Sequence, residues 1–354
     1  MIAFLSDVHL GTKLKQMDYL KSLDMFLKLI KEHKEPCHAI MVCGDLFDHR
    51  LNIDECKFAS VFLLNLVCNF CGRNGRTHVP VHFIHGTASH DNDQYDIFLP
   101  ILSKIDNVEI FYTKETCTKQ LHNGMSVLYL PQIYGDFDYT PYLEDSQHYN
   151  IIIGHGPMSS TNKTPCRSAQ YEITHSADQL GKISDICVFG HYHGYTEFGN
   201  NVFYNGSMLR WMYGEDETKR FIFCTDDYKL ESVENPYALV YTTVEISDPE
   251  QLRQIISDDI QTPHRFIIKT NEQDLQTYHS IMTAYKKNTN LSFQVQSNDD
   301  ETTPKPEDQT EEPSYQDSST ADPIQSLITY IDEKYNVDVS DEIKEYESKI
   351  RKDD

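Results

Sequence analysis

Basic side chains are scarce in this sequence of 354 residues. Its 31 lysines and arginines stand against 55 aspartates and glutamates, which gives a formal net charge of −24. Half of that excess lies in residues 299–354, where 18 acidic and 6 basic side chains occur. This balance argues against a protein that holds nucleic acid through its own bulk positive charge. It does not exclude a site built on bound cations, because the ions themselves supply positive charge.

Long apolar runs and export signals are also lacking. No stretch approaches the roughly 20 apolar residues needed to cross a bilayer, and the run at residues 2–5 is too short for a signal sequence. The nine cysteines have no regular spacing, so we expect reduced thiols in a cytoplasmic protein. The spacing of Cys68, Cys71, His78 and His82 would also permit a zinc knuckle, with buried free cysteine as the alternative.

Short apolar runs alternate with helical patterns in the first hundred residues. The runs at 2–5, 39–43 and 79–84 predict buried strands. Apolar residues at helical spacing predict helices between them, over about 19–30 and 54–71. This alternation is typical of a layered α/β sheet whose functional residues lie at one edge.

Further strands are predicted beyond residue 100. Residues 108–112 and 126–130 have strand patterns, and buried runs at 150–153 and 186–189 each end in a Gly-His pair. We therefore expect an α/β fold in which a second sheet packs on the first. Helices would flank both, which makes a four-layer αββα sandwich over residues 1–235.

The rest of the chain divides into three predicted parts. Residues 236–296 have a β-α-β-α-β pattern, with the first strand over 238–246, and predict a small α+β capping domain. Residues 297–322 contain nine acids and one lysine and predict a disordered acidic linker. Residues 323–354 have two apolar stripes at helical spacing.

These stripes predict a helical hairpin that docks on a partner protein, the alternative being a hairpin that packs back on the main domain. The candidate partner-binding residues are Ile324, Leu327, Ile328, Ile331, Ile343 and Tyr346.

Aspartates and histidines follow five of the predicted strands. They are Asp7, His9, Asp45, His90, His155, His191 and His193. Imidazole and carboxylate together suit Mn²⁺, Fe²⁺ or Zn²⁺, and a carboxylate such as Asp45 can bridge two ions. Two ions about 3.5–4 Å apart can activate a water and hold both oxygens of an in-line phosphoryl displacement.

The strand-end motifs occur in the order D-x-H, G-D-x-x-D, G-x-x-x-H-D, G-H and G-H-x-H. This series resembles that of the calcineurin-like metallophosphoesterases. The segments Ser6–Gly11 and Gly44–Asp48 are most similar to the SbcD family, the nuclease subunits of SbcC–SbcD double-strand-break-repair complexes. The resemblance implies a DNA nuclease that acts on ends or hairpins with two divalent ions, most readily Mn²⁺, with Mg²⁺ or Fe²⁺ as alternatives.

Carried over to this chain, the resemblance also implies a role for each residue. One ion would be held by Asp7, His9 and His193, and the other by His155 and His191, with Asp45 bridging. His90 would act beside the scissile phosphate, and Asp48 would orient a site histidine. The C-terminal helices would bind an SbcC-like coiled-coil ATPase, and the protein would form a homodimer.

The third motif departs from the family pattern, which has Gly-Asn-His with the Asn as a ligand of the second ion. This chain has Gly86-Thr-Ala-Ser-His90-Asp91, so Ser89 stands in the place before His90. Either Ser89 or a backbone carbonyl replaces the Asn, or the second ion binds weakly. Some phage versions of this subunit have such a loop, which favours a phage origin and hence the host cytoplasm.

Two other functions fit the same residues. A small-molecule or nucleotide phosphodiesterase could use the same core, although it would need neither the extra domain nor the docking helices. A non-catalytic DNA-end scaffold would fit a weakened metal site.

Overall fold

The computed structural model describes most of the chain up to residue 297. The described ranges are 1–12, 16–68, 79–133, 137–138, 140–143, 148–160, 175–199, 201–210, 215, 218–240, 242–258, 264–270, 272–285 and 291–297. The predicted acidic linker and docking helices lie outside them. Contacts divide the described residues into a first unit, within Met1–Leu209 and Glu217–Ala238, and a second unit, within Arg210–Asp216 and Leu239–Ala321.

The first unit contains two six-stranded sheets. In spatial order sheet 1 consists of β14 (Leu230–Glu234), β13 (Arg220–Cys224), β1 (Ile2–Leu5), β2 (Ala39–Val42), β3 (Val81–Ile84) and β4 (Ile110–Thr113). Strands β1 to β4 run parallel to one another, β13 is antiparallel to β1, and β14 is antiparallel to β13.

Sheet 2 is also mixed. In spatial order it consists of β11 (Thr196–Gly199), β12 (Val202–Tyr204), β10 (Ser184–Gly190), β7 (Tyr149–His155), β6 (Ser126–Leu130) and β5 (Cys117–Gln120). Strands β6, β7, β10 and β12 run parallel, and the two edge strands are antiparallel. A separate short pair consists of β8 (Met158–Ser159) and β9 (His175–Ser176).

Helices flank the two sheets. They are α1 (Gln16–Glu32), α2 (Ile53–Cys68), α3 (Ala88–Asp91), α4 (Tyr95–Leu102), α5 (Thr140–Leu143) and α6 (Ala177–Leu180). Side-chain alternation along β1 shows the layers: Ala3 and Leu5 pack with α1, α2 and α4, while Ile2 and Phe4 pack between the sheets. A third core lies between sheet 2 and α6. The described part of the first unit is thus an αββα sandwich, which confirms the predicted fold class.

The second unit alternates strands and helices. Its elements are β15 (Thr242–Ile246), α7 (Pro249–Asp258), β16 (His264–Thr270), α8 (Glu272–Tyr285) and β17 (Leu291–Ser297). The three strands form a parallel sheet in chain order. Residues from both helices and from the sheet share one core, which includes Leu252, Phe266 and Tyr278.

Two further expectations concern membranes and cysteine. Within the described ranges, the helices are too short or too polar to span a bilayer. The described cysteines form no disulfide. Cys68 packs with the helices on one face of sheet 1, whereas His82 contacts Phe111 and Tyr129 on the other face. This arrangement does not fit a shared zinc ion; Cys71 and His78 lie outside the described residues.

Candidate metal centre

The predicted site residues follow neighbouring strands. The carboxyl ends of β1, β2 and β3 lie side by side in sheet 1, and those of β7 and β10 lie side by side in sheet 2. The structure brings the ligand atoms into three groups, each with its atoms within 4.8 Å of one another. The groups are Asp7, His9 and His193; Asp45, His155 and His191; and His9, Asp48 and His90.

The backbone is strained at four of these residues. Asp7, His9, Asp45 and His191 have φ angles of 47°, 50°, 47° and 105°, in a region of positive φ that residues other than glycine rarely adopt. Each such residue costs about 1–3 kcal/mol and persists only where the surroundings hold it. Backbone hydrogen bonds hold two of these turns, from Asp7 N to Gly44 O (3.2 Å) and from His9 N to Asp45 O (3.1 Å).

The first group has the donor set of a cation site. His9 Nε2 lies 3.3 Å from His193 Nε2. Asp7 Oδ1 accepts a hydrogen bond of 2.8 Å from the backbone N–H of His191. Asp7 Oδ2 is buried and accepts no hydrogen bond from the described residues. Such an oxygen is costly to bury unless a cation or a donor satisfies it, so these residues fit a metal ion.

The second group is oriented by the backbone of β2. His155 Nδ1 lies 2.8 Å from the carbonyl oxygen of Cys43 and donates to it, which leaves Nε2 facing Asp45 Oδ2 at 3.3 Å. Metal-binding histidines are commonly fixed in this way. Burial opposes a positive charge on His155, but the Asp45 carboxylate outweighs it and raises the pKa of His155 to about 9. Burial lowers the pKa of His191 to about 4, with His155 adding to the effect.

Asp45 lies between the two groups. Its Oδ1 accepts a hydrogen bond of 2.5 Å from the backbone N–H of Thr87. Its Oδ2 lies 3.3 Å from His155 Nε2 and 4.0 Å from His9 Nε2. The nearby histidines outweigh burial and hold the pKa of Asp45 well below its usual range. One ionised oxygen is thus directed at both groups, as a bridging ligand requires.

Asp48 and His90 form the outer part of the site. Asp48 Oδ1 lies 3.4 Å from His9 Nδ1 and 3.9 Å from His90 Nδ1. Burial lowers the pKa of His90, whereas hydrogen bonds from His9 and His49 outweigh burial and lower the pKa of Asp48. An ionised Asp48 therefore faces both His9 and a neutral His90. This is the contact that its predicted orienting role requires.

The third motif, which departs from the family pattern, folds into a tight loop and the short helix α3. A Cβ at Gly86 would overlap the backbone nitrogen and Oδ1 of Asp45, so only glycine allows this approach. Asp91 is fully buried and accepts hydrogen bonds from Gly86 N (2.7 Å) and Phe47 N (3.2 Å). Burial, with Asp45 adding, raises the pKa of Asp91 to about 7. These contacts fix the loop against the end of β2.

Thr87 is the site residue that sequence reasoning missed. Its hydroxyl lies 3.1 Å from Asp45 Oδ2 and 3.4 Å from His155 Nε2. Ser89 is exposed on α3, and its carbonyl accepts a hydrogen bond from Asn92. Ser89 as a ligand stays a prediction that these contacts do not support. The signal that could have identified Thr87 is its place directly after Gly86, where the family pattern has Asn.

The profile of the calcineurin-like phosphoesterase family matches residues 1–195. The matched region contains the residues of all three ligand groups, from Asp7 to His193. No curated protein matches the chain.

Proposed function

The chain belongs to the calcineurin-like phosphoesterase family, and from that premise we propose that it is a metal-dependent DNA nuclease. The family is one of metal-dependent hydrolases of phosphoesters. One observation carries the proposal: two groups of ligand atoms meet at Asp45 Oδ2. The similarity of Ser6–Gly11 and Gly44–Asp48 to SbcD sequences supports DNA ends or hairpins as the substrate.

Two divalent ions, for which we propose Mn²⁺, would be held by the first two ligand groups with Asp45 between them. When bound, such ions generate a nucleophile from water and neutralise the phosphate charge. Cys43 O accepts a hydrogen bond from Nδ1 of His155 and so keeps Nε2, the nitrogen that would bind the ion, directed into the site. Asp48 faces the outer nitrogen of His9 and limits the rotation of its ring.

His90 is suited to contact the substrate. Its side chain is 29% exposed, whereas those of His9 and His155 are 1% and 0% exposed. Because its pKa is lowered, His90 is neutral at pH 7 and can donate one N–H to a phosphate oxygen. We propose that this N–H stabilises the transition state; the alternative role, protonation of the leaving oxygen, would require the imidazolium form of His90.

The acidic composition supports a division of labour. With a net charge of −24, this chain is poorly suited to hold DNA by itself. We propose that an SbcC-like coiled-coil ATPase supplies much of the DNA contact and that residues 323–354 dock on it. We also propose a homodimer, formed through helices of the first half of the chain.

The deciding experiment is a nuclease assay on end-labelled linear duplex and hairpin DNA, with Mn²⁺, Mg²⁺ or chelator. We expect Mn²⁺-dependent cleavage by the wild type and none by Asp45→Asn, which weakens the bridging carboxylate. His193→Ala should lose the Mn²⁺ of the first ligand group and the activity together. Asp24→Asn, an exposed substitution on α1, removes the same charge away from the site and should cleave like the wild type.

The same preparations should be tested on bis(4-nitrophenyl) phosphate. Hydrolysis of this diester without any cleavage of DNA, even with the ATPase present, would refute the nuclease and favour the small-molecule phosphodiesterase. Bound Mn²⁺ without turnover of either substrate would favour the scaffold. Unchanged cleavage by His193→Ala would refute the proposed ligand set.

Docking on the ATPase can be tested with Leu327→Asp, which places a charge on the first apolar stripe. Ser326→Asp is the matched control, because helical spacing places Ser326 on the opposite side. We expect co-purification with the ATPase to be lost in the first variant and kept in the second. Equal binding by both variants would contradict the docking assignment.

A further inference from the structure

The Thr87 hydroxyl occupies a corner of a nearly equilateral triangle. Its oxygen lies 3.1 Å from Asp45 Oδ2 and 3.4 Å from His155 Nε2, and those two atoms lie 3.3 Å apart. Neighbouring ligands at about 2.1 Å from a cation are separated by about 3.0 Å in octahedral and 3.4 Å in tetrahedral geometry. The three atoms therefore have the mutual spacing of ligands of one ion.

Helix capping does not explain this position. Thr87 is the N-cap of α3, where a threonine side chain ordinarily accepts a hydrogen bond from a backbone N–H of the first turn. Here the side chain makes no such bond. The N–H groups of His90 and Asp91 donate to the Thr87 carbonyl instead, each at 2.9 Å. The hydroxyl is left to face the site.

All three atoms of the triangle can present a lone pair to a cation. His155 donates through Nδ1 to Cys43 O, so its Nε2 offers a lone pair when the ring is neutral. Asp45 Oδ2 is also an acceptor, and the Thr87 hydroxyl has one proton to give. A divalent cation satisfies all three atoms at once. The backbone N–H of Thr87 assists by holding Asp45 Oδ1, which directs Oδ2 to the triangle.

We infer that the Thr87 hydroxyl is a protein ligand of the cation held by Asp45, His155 and His191, in the place for which the sequence suggested Ser89. A neutral hydroxyl oxygen suits Mg²⁺ and Mn²⁺, as the Ser/Thr hydroxyl of phosphate-binding loops shows. This inference rests on the two-ion site of the proposed function.

The test is Mn²⁺ binding by the full chain, measured by electron paramagnetic resonance of free Mn²⁺. His193→Ala breaks the first group, so its remaining ion reports on the second group. His191→Ala breaks the second group and isolates the first. Into each we would add Thr87→Val, which keeps the shape and backbone N–H but removes the hydroxyl, or Thr87→Ser, which keeps the hydroxyl.

With His193→Ala, we expect Thr87→Val to weaken Mn²⁺ binding at least about tenfold, as loss of groups that support metal sites commonly does, and Thr87→Ser to change it little. With His191→Ala, Thr87→Val should have no effect. Ser89→Ala should leave Mn²⁺ binding unchanged in both backgrounds.

Two outcomes overturn the inference while the proposed function stands. Unchanged binding of Thr87→Val in the His193→Ala protein would show that the hydroxyl is not a ligand. Equal weakening in both backgrounds would show that Thr87 acts only by orienting Asp45, because Asp45 serves both ions. A wild-type chain that binds no Mn²⁺ would overturn the two-ion site and this ligand with it.

Discussion

Acidification should destabilise the first unit through His82, which lies between the two sheets. Its side chain is 1% exposed, and Nδ1 lies 2.6 Å from the Tyr129 hydroxyl. Burial lowers the pKa of His82 to about 4, with smaller contributions from the charges of Lys119 and His122, while Glu109 opposes the change. The folded protein therefore requires a neutral His82 at pH values where the unfolded chain binds a proton.

The sign and size follow from proton linkage. The ordinary pKa of 6.5 exceeds the folded value, so this contribution to stability is complete above pH 6.5 and is lost as the pH falls towards 4. At about 1.4 kcal/mol for each pKa unit, the full loss is about 3 kcal/mol. About 2 kcal/mol of it should be lost between pH 7.5 and pH 5.

Urea unfolding at several pH values measures this loss. The informative comparison is between Tyr129→Phe and the double variant His82→Phe/Tyr129→Phe, which differ only at residue 82. Neither variant contains a buried Tyr129 hydroxyl that has lost its histidine partner. A chelator in every sample removes the contribution of metal binding. The difference in unfolding free energy between the two variants should change by about 2 kcal/mol from pH 7.5 to pH 5. Parallel pH profiles would refute the reasoning.

Three substitutions test the packing around the site. Gly86→Ala should displace Asp45 and abolish Mn²⁺ binding, as metal titration would show, because its Cβ overlaps the Asp45 backbone and carboxylate. Gly154→Ala should lower the unfolding free energy by about 1–3 kcal/mol through overlap with the Phe189 ring, and Phe189→Leu should recover part of the loss. Asp91→Asn should cost about 1–3 kcal/mol at pH 8, because an amide oxygen and an NH₂ group cannot accept both backbone N–H groups. Unchanged metal binding by Gly86→Ala would contradict the overlap with Asp45. An unchanged melting temperature of Gly154→Ala or Asp91→Asn would contradict the contact with Phe189 or the two hydrogen bonds of Asp91, respectively.

The sequence by itself predicted the elements and the edge at which the site lies. Strand periodicity placed β6 at Ser126–Leu130, where the structure has it. Apolar runs ending in Asp or His located the site residues, because carboxyl ends of adjacent parallel strands meet at one edge. Boundaries were less secure: the strand predicted from residue 238 begins at Thr242, since Ala238 instead packs in the core of the first unit.

Only the tertiary structure decided which atoms meet at the site. Asp7 receives the backbone N–H of His191, a residue 184 positions away, and no local spacing specifies that bond. The choice of Thr87 over Ser89 depends on the path of the loop after β3. Asp91 and the glycine contact at Gly86 bring Thr87 against Asp45, whereas α3 turns Ser89 outward. A sequence pattern specifies residue types and their order, but ligand geometry comes from long-range packing that fixes each backbone and rotamer.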